Sequence, residues 1–202
     1  MSPGNKHVDR SERTRAQLVA AARDLFAARG YAAVPIEDVV RRAGVTRGAL
    51  YHQFPGGKEE VFAAVFEQVE QELTAAVADT LAKSAADGDP LVALHAGTDA
   101  TLALALDPEV VRLTILDAPA VLGWEAWRAA GERYGLGLVR AGLQLAMDSG
   151  QVARVPVDPL AQLLLAAVEE AMVYVARADD QEAAHEQARG ALHRLLDGLA
   201  EA

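Results

Sequence analysis

An all-α fold is what this 202-residue chain predicts. Three helices fill residues 1–57 and a larger helical body fills 58–202, with about nine helices in total. Three observations carry the prediction. Apolar residues recur at intervals of three and four along most of the chain, as amphipathic helices require. Aromatic residues make up only 5%, Ala, Leu and Val dominate, and the alternation that marks strands is hard to find. Gly and Pro clusters cut the pattern at helix-length intervals.

Each element follows in order. Asp9 with Glu12 reads as a capping box, and the helix behind it carries Leu18, Ala22, Leu25 and Phe26 before stopping at Gly30. Pro35 suits the first helical position, with Glu37 and Asp38 near the positive end of the helix dipole, and Gly44 ends this second helix. Thr46 can cap a third through Leu50, Tyr51 and His52. Phe54-Pro55-Gly56-Gly57 is a turn, and Lys58 opens a long fourth helix through Val61, Phe62, Val65, Val69, Leu73 and Val77. Gly88-Asp89-Pro90 punctuates, and Leu91, Leu94, Leu102 and Leu106 form the next helix. Val110–Leu116 is a short helix stopped by Pro119. Trp124–Met147 reads as one long helix, with Gly131, Gly135, Gly137 and Gly142 lowering its propensity by about 1 kcal/mol each. Asp148-Ser149-Gly150 ends it, and two last helices span about 160–177 and 181–199. No repeat or low-complexity tether divides the chain.

Composition narrows the function. Apolar residues make up 51% and charged residues 24%, an ordinary globular balance. Zero Cys removes disulfide scaffolds, Cys-ligated metal sites and thiol nucleophiles. No secretory signal is legible, and the longest apolar run, residues 160–168 broken by Gln162, is short of a membrane span. The expectation is a soluble, cytoplasmic protein with no membrane partner. The net charge is −10 but unevenly spread. Residues 1–58 hold ten Lys/Arg against five Asp/Glu, while the other 144 hold nine against 24. A positive module on a negative body points to a polyanion held by one end. No GxSxG, phosphate-binding loop or HExxH is present, and Gly131, Gly135 and Gly137 follow no strand, so no enzyme is predicted.

The second and third helices, Glu37–Arg42 and Arg47–His52, are short and joined by a tight turn, which fits a helix-turn-helix. Arg47 can pair bidentately with guanine O6 and N7. Gly48 and Ala49 let the helix end approach base edges, and Ala49 can touch a thymine methyl. Thr46, Tyr51, His52 and Lys58 are placed for phosphate, which positions without specifying. On pattern alone, an unremarkable small helical subdomain fits too.

From Arg15 to Phe62 the chain resembles the DNA-binding domain of the tetracycline-repressor-like (TetR/AcrR) family. The matching pieces run from Ala20 to Tyr31, from Ile36 to Val45, from Thr46 to Phe54, and over Lys58-Glu59-Glu60-Val61-Phe62. The resemblance implies base contacts from Arg47, Gly48 and Ala49, phosphate contacts from Tyr51, His52 and Lys58, and a small core of Leu25, Phe26, Ala43, Val45, Leu50 and Phe54. Two departures stand out. Family members place hydroxyl residues where this chain has Val34-Pro35, which removes a side-chain cap. The turn at Phe54–Lys58 is also one residue longer than the common form.

The resemblance further implies a homodimer on a palindromic double-stranded operator, released when the body binds a small-molecule effector, with the fourth helix transmitting the shift. A DNA-binding homodimer without a small ligand, or an activator, is the alternative. The last two helices suit a dimer face in a four-helix bundle, through Leu160, Leu164, Ala167, Val168, Ala171, Ala188, Leu192, Leu195 and Leu199. The same rows could instead fill the monomer's core. Candidate pocket residues are His95, Asp117, Trp124, Trp127, Tyr134, Met147, Met172 and Tyr174, although core packing accounts for each as well. The acidic body favours a cationic or neutral ligand over an anion. His95 and Asp99 share a helix face, but two ligands define no metal site, and no cofactor is expected.

Overall fold

The computed structural model describes residues 3–86 and 88–200, with side chains from residue 11 onward. Among them there is no strand, only an isolated bridge between Val152 and Ala200. The helices are α1 (Pro3–Arg29), α2 (Ile36–Ala43), α3 (Arg47–Gln53), α4 (Lys58–Ala85), α5 (Pro90–Ala103), α6 (Pro108–Val110), α7 (Ala118–Leu122), α8 (Trp124–Tyr134), α9 (Leu136–Asp148), α10 (Val157–Ala176) and α11 (Gln181–Asp197). A 3₁₀ turn, Leu104–Leu106, precedes α6, and a π-helical stretch, Val111–Asp117, joins α6 to α7.

The small N-terminal core forms as the resemblance implies. Phe26, Leu50 and Phe54 are fully buried, with Leu25, Ala43 and Val45 packed against them. Val34 is also fully buried, which accounts for an apolar residue where a cap would sit. Pro35 is the residue before α2 rather than its first, with no side-chain cap. Gly44 ends α2 in the left-handed conformation, its N–H bonding Arg41 O while Val45 N–H reaches back to Val40 O. That is the Schellman pattern, and it fixes the turn into α3. The expected capping box at Asp9 does not start a helix, because α1 already runs from Pro3; the side chain of Asp9 lies outside the described residues. The core extends along α4 through Val61, Phe62 and Val65 and includes Leu113 and Ala118 of the body. One hydrophobic cluster therefore crosses the expected boundary at residue 57.

Pro119 does not stop the chain's helical course. It lacks the N–H that would return to the preceding turn, and the stretch before it winds in the wider π form. The Thr114 carbonyl accepts from the Trp127 indole N–H instead, at 2.7 Å. The expected single helix 124–147 is two helices parted at Gly135. Close packing sets the break: a Cβ on Gly135 would lie 2.8 Å from Leu165 Cδ1. Gly131 is likewise covered by the Glu169 carboxylate, and Gly142 by Leu94. These glycines weaken the helices locally but allow α10 and α5 to approach.

By length and mean hydropathy α10 (20 residues, 1.4) could cross a membrane, unlike the shorter apolar run read from sequence. In the fold it packs against α5, α9 and α11, and its apolar character serves two faces. Val168 and Val175 are buried inward, while Leu163 is 70% and Tyr174 51% exposed outward.

Gly97 of α5 tests the close-packing account. A methyl there would meet Leu81 Cδ2 at 2.5 Å and Cγ at 2.9 Å, whereas one on exposed Gly137 meets nothing within 4 Å. Gly97→Ala is expected to destabilise by about 1–3 kcal/mol despite better helix propensity. Gly137→Ala is expected to stabilise by up to about 1 kcal/mol. Urea melts of both variants check the pair; a Gly97→Ala protein as stable as wild type would contradict it.

Candidate nucleic-acid interface and internal cavity

Thr46 caps α3: its hydroxyl oxygen accepts from Ala49 N–H at 3.1 Å, leaving its own proton free to donate outward. Leu50 and Phe54 anchor the helix inward, so Arg47, Gly48, Tyr51 and His52 form an exposed face. Nothing crowds Gly48, for an added Cβ would find only Thr46 Oγ1 at 4.0 Å. Arg47 is held ready rather than loose. Its Nη1 pairs with Glu37 of α2 at 3.0 Å, and its guanidinium carbon lies 5.5 Å from the Tyr51 ring centroid.

The glycine pair in the next turn supports the same face. Gly57 has φ +69°, and an added Cβ would sit 3.4 Å from Tyr51 Cε1. The longer turn thus passes beneath the Tyr51 ring. Gly56 N–H donates to Glu60 at 2.7 Å and closes the start of α4. Lys58 is placed differently from the other expected phosphate ligands. Its Nζ lies 4.0 Å from the centroid of the Tyr31 ring, and burial lowers its pKa, partly offset by Asp117. It must leave that ring to reach a phosphate.

Much of the module's positive charge is internally paired. Arg42 binds Asp24 at 2.6 Å, Arg29 binds Asp38 at 2.7 Å, and Arg41 shares that carboxylate. Arg23 ties α1 to the body through Glu72 at 2.7 Å and Glu109 at 2.6 Å.

Asp117 faces the DNA-binding module. Its Oδ2 accepts from Tyr31 N–H at 2.7 Å, across from a turn in which Gly30 has φ +76°. Arg112 lies against the same glycine, 3.4 Å from where its Cβ would be. Residues five apart on an α-helix point about 140° away from each other at 3.6 residues per turn. In π winding they stack, since i bonds to i+5. The π stretch therefore sets Arg112 and Asp117 side by side on Gly30–Tyr31, while Thr114 and Ile115 face the other way.

That other way is a cavity of about 160 Å³ inside the body. Of the residues expected to line a pocket, Trp127 and Met172 do. His95 instead pairs with Asp197 at 3.0 Å and meets the His193 ring edge to face, while His193 binds Asp99 at 2.6 Å, so α5 is tied to α11. Among the described residues no group of His, Cys, Asp and Glu is arranged to hold a metal. Trp124 is 58% exposed and packs on Trp127. Tyr134 donates to Glu67, Tyr174 donates to Gln187, and Met147 is buried in the α5–α9 core.

The sequence reading missed Glu70 and Glu169, both in the cavity wall. Glu70 falls on the α4 face of Phe66, Leu73, Val77 and Leu81; a charge on an apolar stripe was the available signal. Burial, then the neighbouring Glu169, pushes the Glu70 carboxyl from its ordinary 4.5 up to about 7. Burial also raises Glu169, against the pull of Arg128.

The expected dimer residues divide. Val168, Ala188 and Leu192 are buried in the chain's own core, and Leu164 lines the cavity. Leu160 and Leu199 pack on the α5–α9 core, while Ala167 and Ala171 are half-buried beside α11. Leu195, 54% exposed, and Leu163 of the same apolar rows form an outward apolar face on the last two helices.

A raised carboxyl makes stability depend on pH. The folded state holds its proton up to about 7 while the unfolded chain releases it near 4.5. Stability is therefore unaffected below the lower value and falls as pH rises through the higher. Glu70→Gln is expected to raise the melting temperature more at pH 8 than at pH 5, with up to about 3 kcal/mol between the two. Equal gains at both pH values would show that Glu70 is not buried in the way described.

Comparison with known proteins gives the same picture at both ends. Residues 18–65 match the family model for bacterial regulatory proteins of the tetR family. Residues 91–199 match that for the tetracyclin repressor-like C-terminal domain. The chain is 38% identical over 90 residues to the HTH-type transcriptional regulator CymR of Pseudomonas putida, covering 44% of each. It is 28% identical over 68 residues to LmrA of Bacillus subtilis, covering 34% of this chain and 36% of that one. The matched segment thus spans under half the length of these curated relatives. A crystal structure of a TetR-family transcriptional regulator from Pectobacterium atrosepticum superposes with TM-score 0.86 and 32% identity, over 100% of this chain and 99% of that one. The fold is shared with RolR in complex with resorcinol, at TM-score 0.72 and 22% identity over 93% and 89% of the two chains.

Proposed function

The chain belongs to the TetR family of DNA-binding transcriptional regulators, and from that premise we propose that it is a cytoplasmic, homodimeric repressor that leaves a palindromic operator when a small molecule fills the body's cavity. One observation supports the release step above others. The π stretch has Thr114 and Ile115 in the cavity wall and Asp117 on the Gly30–Tyr31 turn of the DNA-binding module. Trp127 also lines the cavity and bonds the Thr114 carbonyl. A ligand pressing on Trp127 displaces the segment that seats α1. The fourth helix offers a second route, since it runs from Lys58 to the cavity wall at Phe66 and Glu70. That RolR is known with resorcinol bound is in keeping with a single-ring effector.

In this reading Arg47, Gly48 and Ala49 meet base edges, while Thr46, Tyr51, His52 and Lys58 meet phosphates. A single α3 reads only a few base pairs, so a twofold dimer is needed to specify a site. The outward face around Leu163 and Leu195 supplies its contact.

Selection from a random DNA pool gives the operator, after which three outcomes are expected. Arg47→Ala loses about 1–3 kcal/mol of specific affinity and relaxes one symmetric position of the selected sequence. Lys58→Ala lowers the salt slope by about one; an unchanged slope would leave Lys58 as a junction residue only. Leu163→Glu, which puts a charge in the apolar face, halves the mass seen in sedimentation equilibrium and weakens operator binding with it.

The release step is tested at Asp117. A 100-fold release needs about 2.7 kcal/mol of coupling between ligand and operator. Asp117→Ala is expected to keep ligand affinity but lose most of that coupling, measured as ligand affinity with and without saturating operator DNA. Full coupling in the variant would sink the proposed route.

A further inference from the structure

The cavity wall is apolar except for threonine hydroxyls and two carboxylates, Glu70 from α4 and Glu169 from α10. Among the described residues, Glu70 has no hydrogen-bond donor or cation as a partner. Glu169 has one cation, Arg128, with Nη1 at 3.8 Å, opposed by Glu132. These two groups of α8 are the other charges that bear on the pair. A carboxyl largely withdrawn from water without a counter-charge destabilises a fold, and an apolar side chain of similar size would serve packing better. Glu70 lacks a counter-charge and Glu169 has only Arg128, so their convergence on one apolar cavity has a use other than packing.

We propose that the cavity takes a single-ring apolar amine as its ammonium, held between Glu70 and Glu169. The claim rests on the reading of this cavity as the effector site and adds the chemistry of the occupant. The size follows from the volume, about 160 Å³, close to the roughly 150 Å³ of a cavity known to admit benzene. The charge follows from the walls. An ammonium presents three donors and no acceptor, and its bonds to carboxylates are charge-assisted. It brings the counter-charge that Glu70 lacks. Trp127 in the same wall offers a ring face to a cation. An anion of the same shape meets two carboxylates and is excluded. A neutral isostere enters on apolar contact alone.

Titration calorimetry on the full chain with benzylamine, benzyl alcohol and benzoate separates these cases. Benzylamine is expected to bind at least tenfold tighter than benzyl alcohol, and benzoate not at all. Glu70→Gln is expected to cost benzylamine at least tenfold and leave benzyl alcohol within about twofold; Glu169→Gln serves as the second variant should the first fold poorly. Benzoate binding as tightly as benzylamine, or an amine-to-alcohol ratio unchanged in both variants, overturns the proposal while the cavity remains a ligand site. If none of the three binds or alters tryptophan fluorescence, both the proposal and the effector-site reading fail.

Discussion

Pro119 has no N–H to return to the turn before it, and the arrangement of the body follows from how the chain absorbs that lack. The preceding stretch winds as a π-helix, which leaves the Thr114 carbonyl to the Trp127 indole and stacks Arg112 beside Asp117. Those two side chains receive the Gly30–Tyr31 turn, where α1 ends. The opposite side of the same few residues closes the cavity. A regular α-helix would have pointed Asp117 well away from Arg112, and the DNA-binding module would have lost that seat. π turns often occur where a helix carries function, and here a single one touches both ends of the molecule.

The module on the other side of the seat is rigid where it must be. Phe26, Tyr31 and Phe62 form an aromatic triad with ring centroids 5.2–5.5 Å apart, and the Lys58 ammonium rests on its outer ring. Arg23 crosses to two carboxylates of the body. These contacts join α1, α4 and the π stretch in one cluster. The module and the body are thus joined through packed helices, the kind of contact that can carry coupling between distant sites.

Inside the body, small residues and buried carboxylates divide the labour. Gly97, Gly131, Gly135 and Gly142 let neighbouring side chains sit where an added Cβ would displace them, at the expense of local helix propensity. Close approach on those sides coexists with an open space edged by Glu70 and Glu169. Packing efficiency alone accounts for neither carboxylate. Burial raises both carboxyls above their ordinary range, so each costs stability once ionised, and a fold selected only for stability would replace them.

The family resemblance supplied the buried row of Phe26, Leu50 and Phe54; the sequence by itself determined the helices of the DNA-binding module, the Thr46 cap and the helix end at Gly44. These depend on short-range rules: helix period, cap chemistry and positive φ act within a few residues and leave a local trace. It also showed that the later helices have more than one apolar side. Tertiary structure alone decided which side faces inward, burying Val168 and Leu192 and leaving Leu163 and Leu195 outside, because an Ala- and Leu-rich helix offers several equivalent stripes. It decided that Pro119 would be wound through rather than obeyed, since a carbonyl 13 residues from its donor, Trp127, settles the matter. It decided, too, that Asp117 holds the module and Glu70 edges the cavity. Both are single charges whose meaning lies in partners distant along the chain: Tyr31, 86 residues from Asp117, and Glu169, on α10 in the wall of the same cavity.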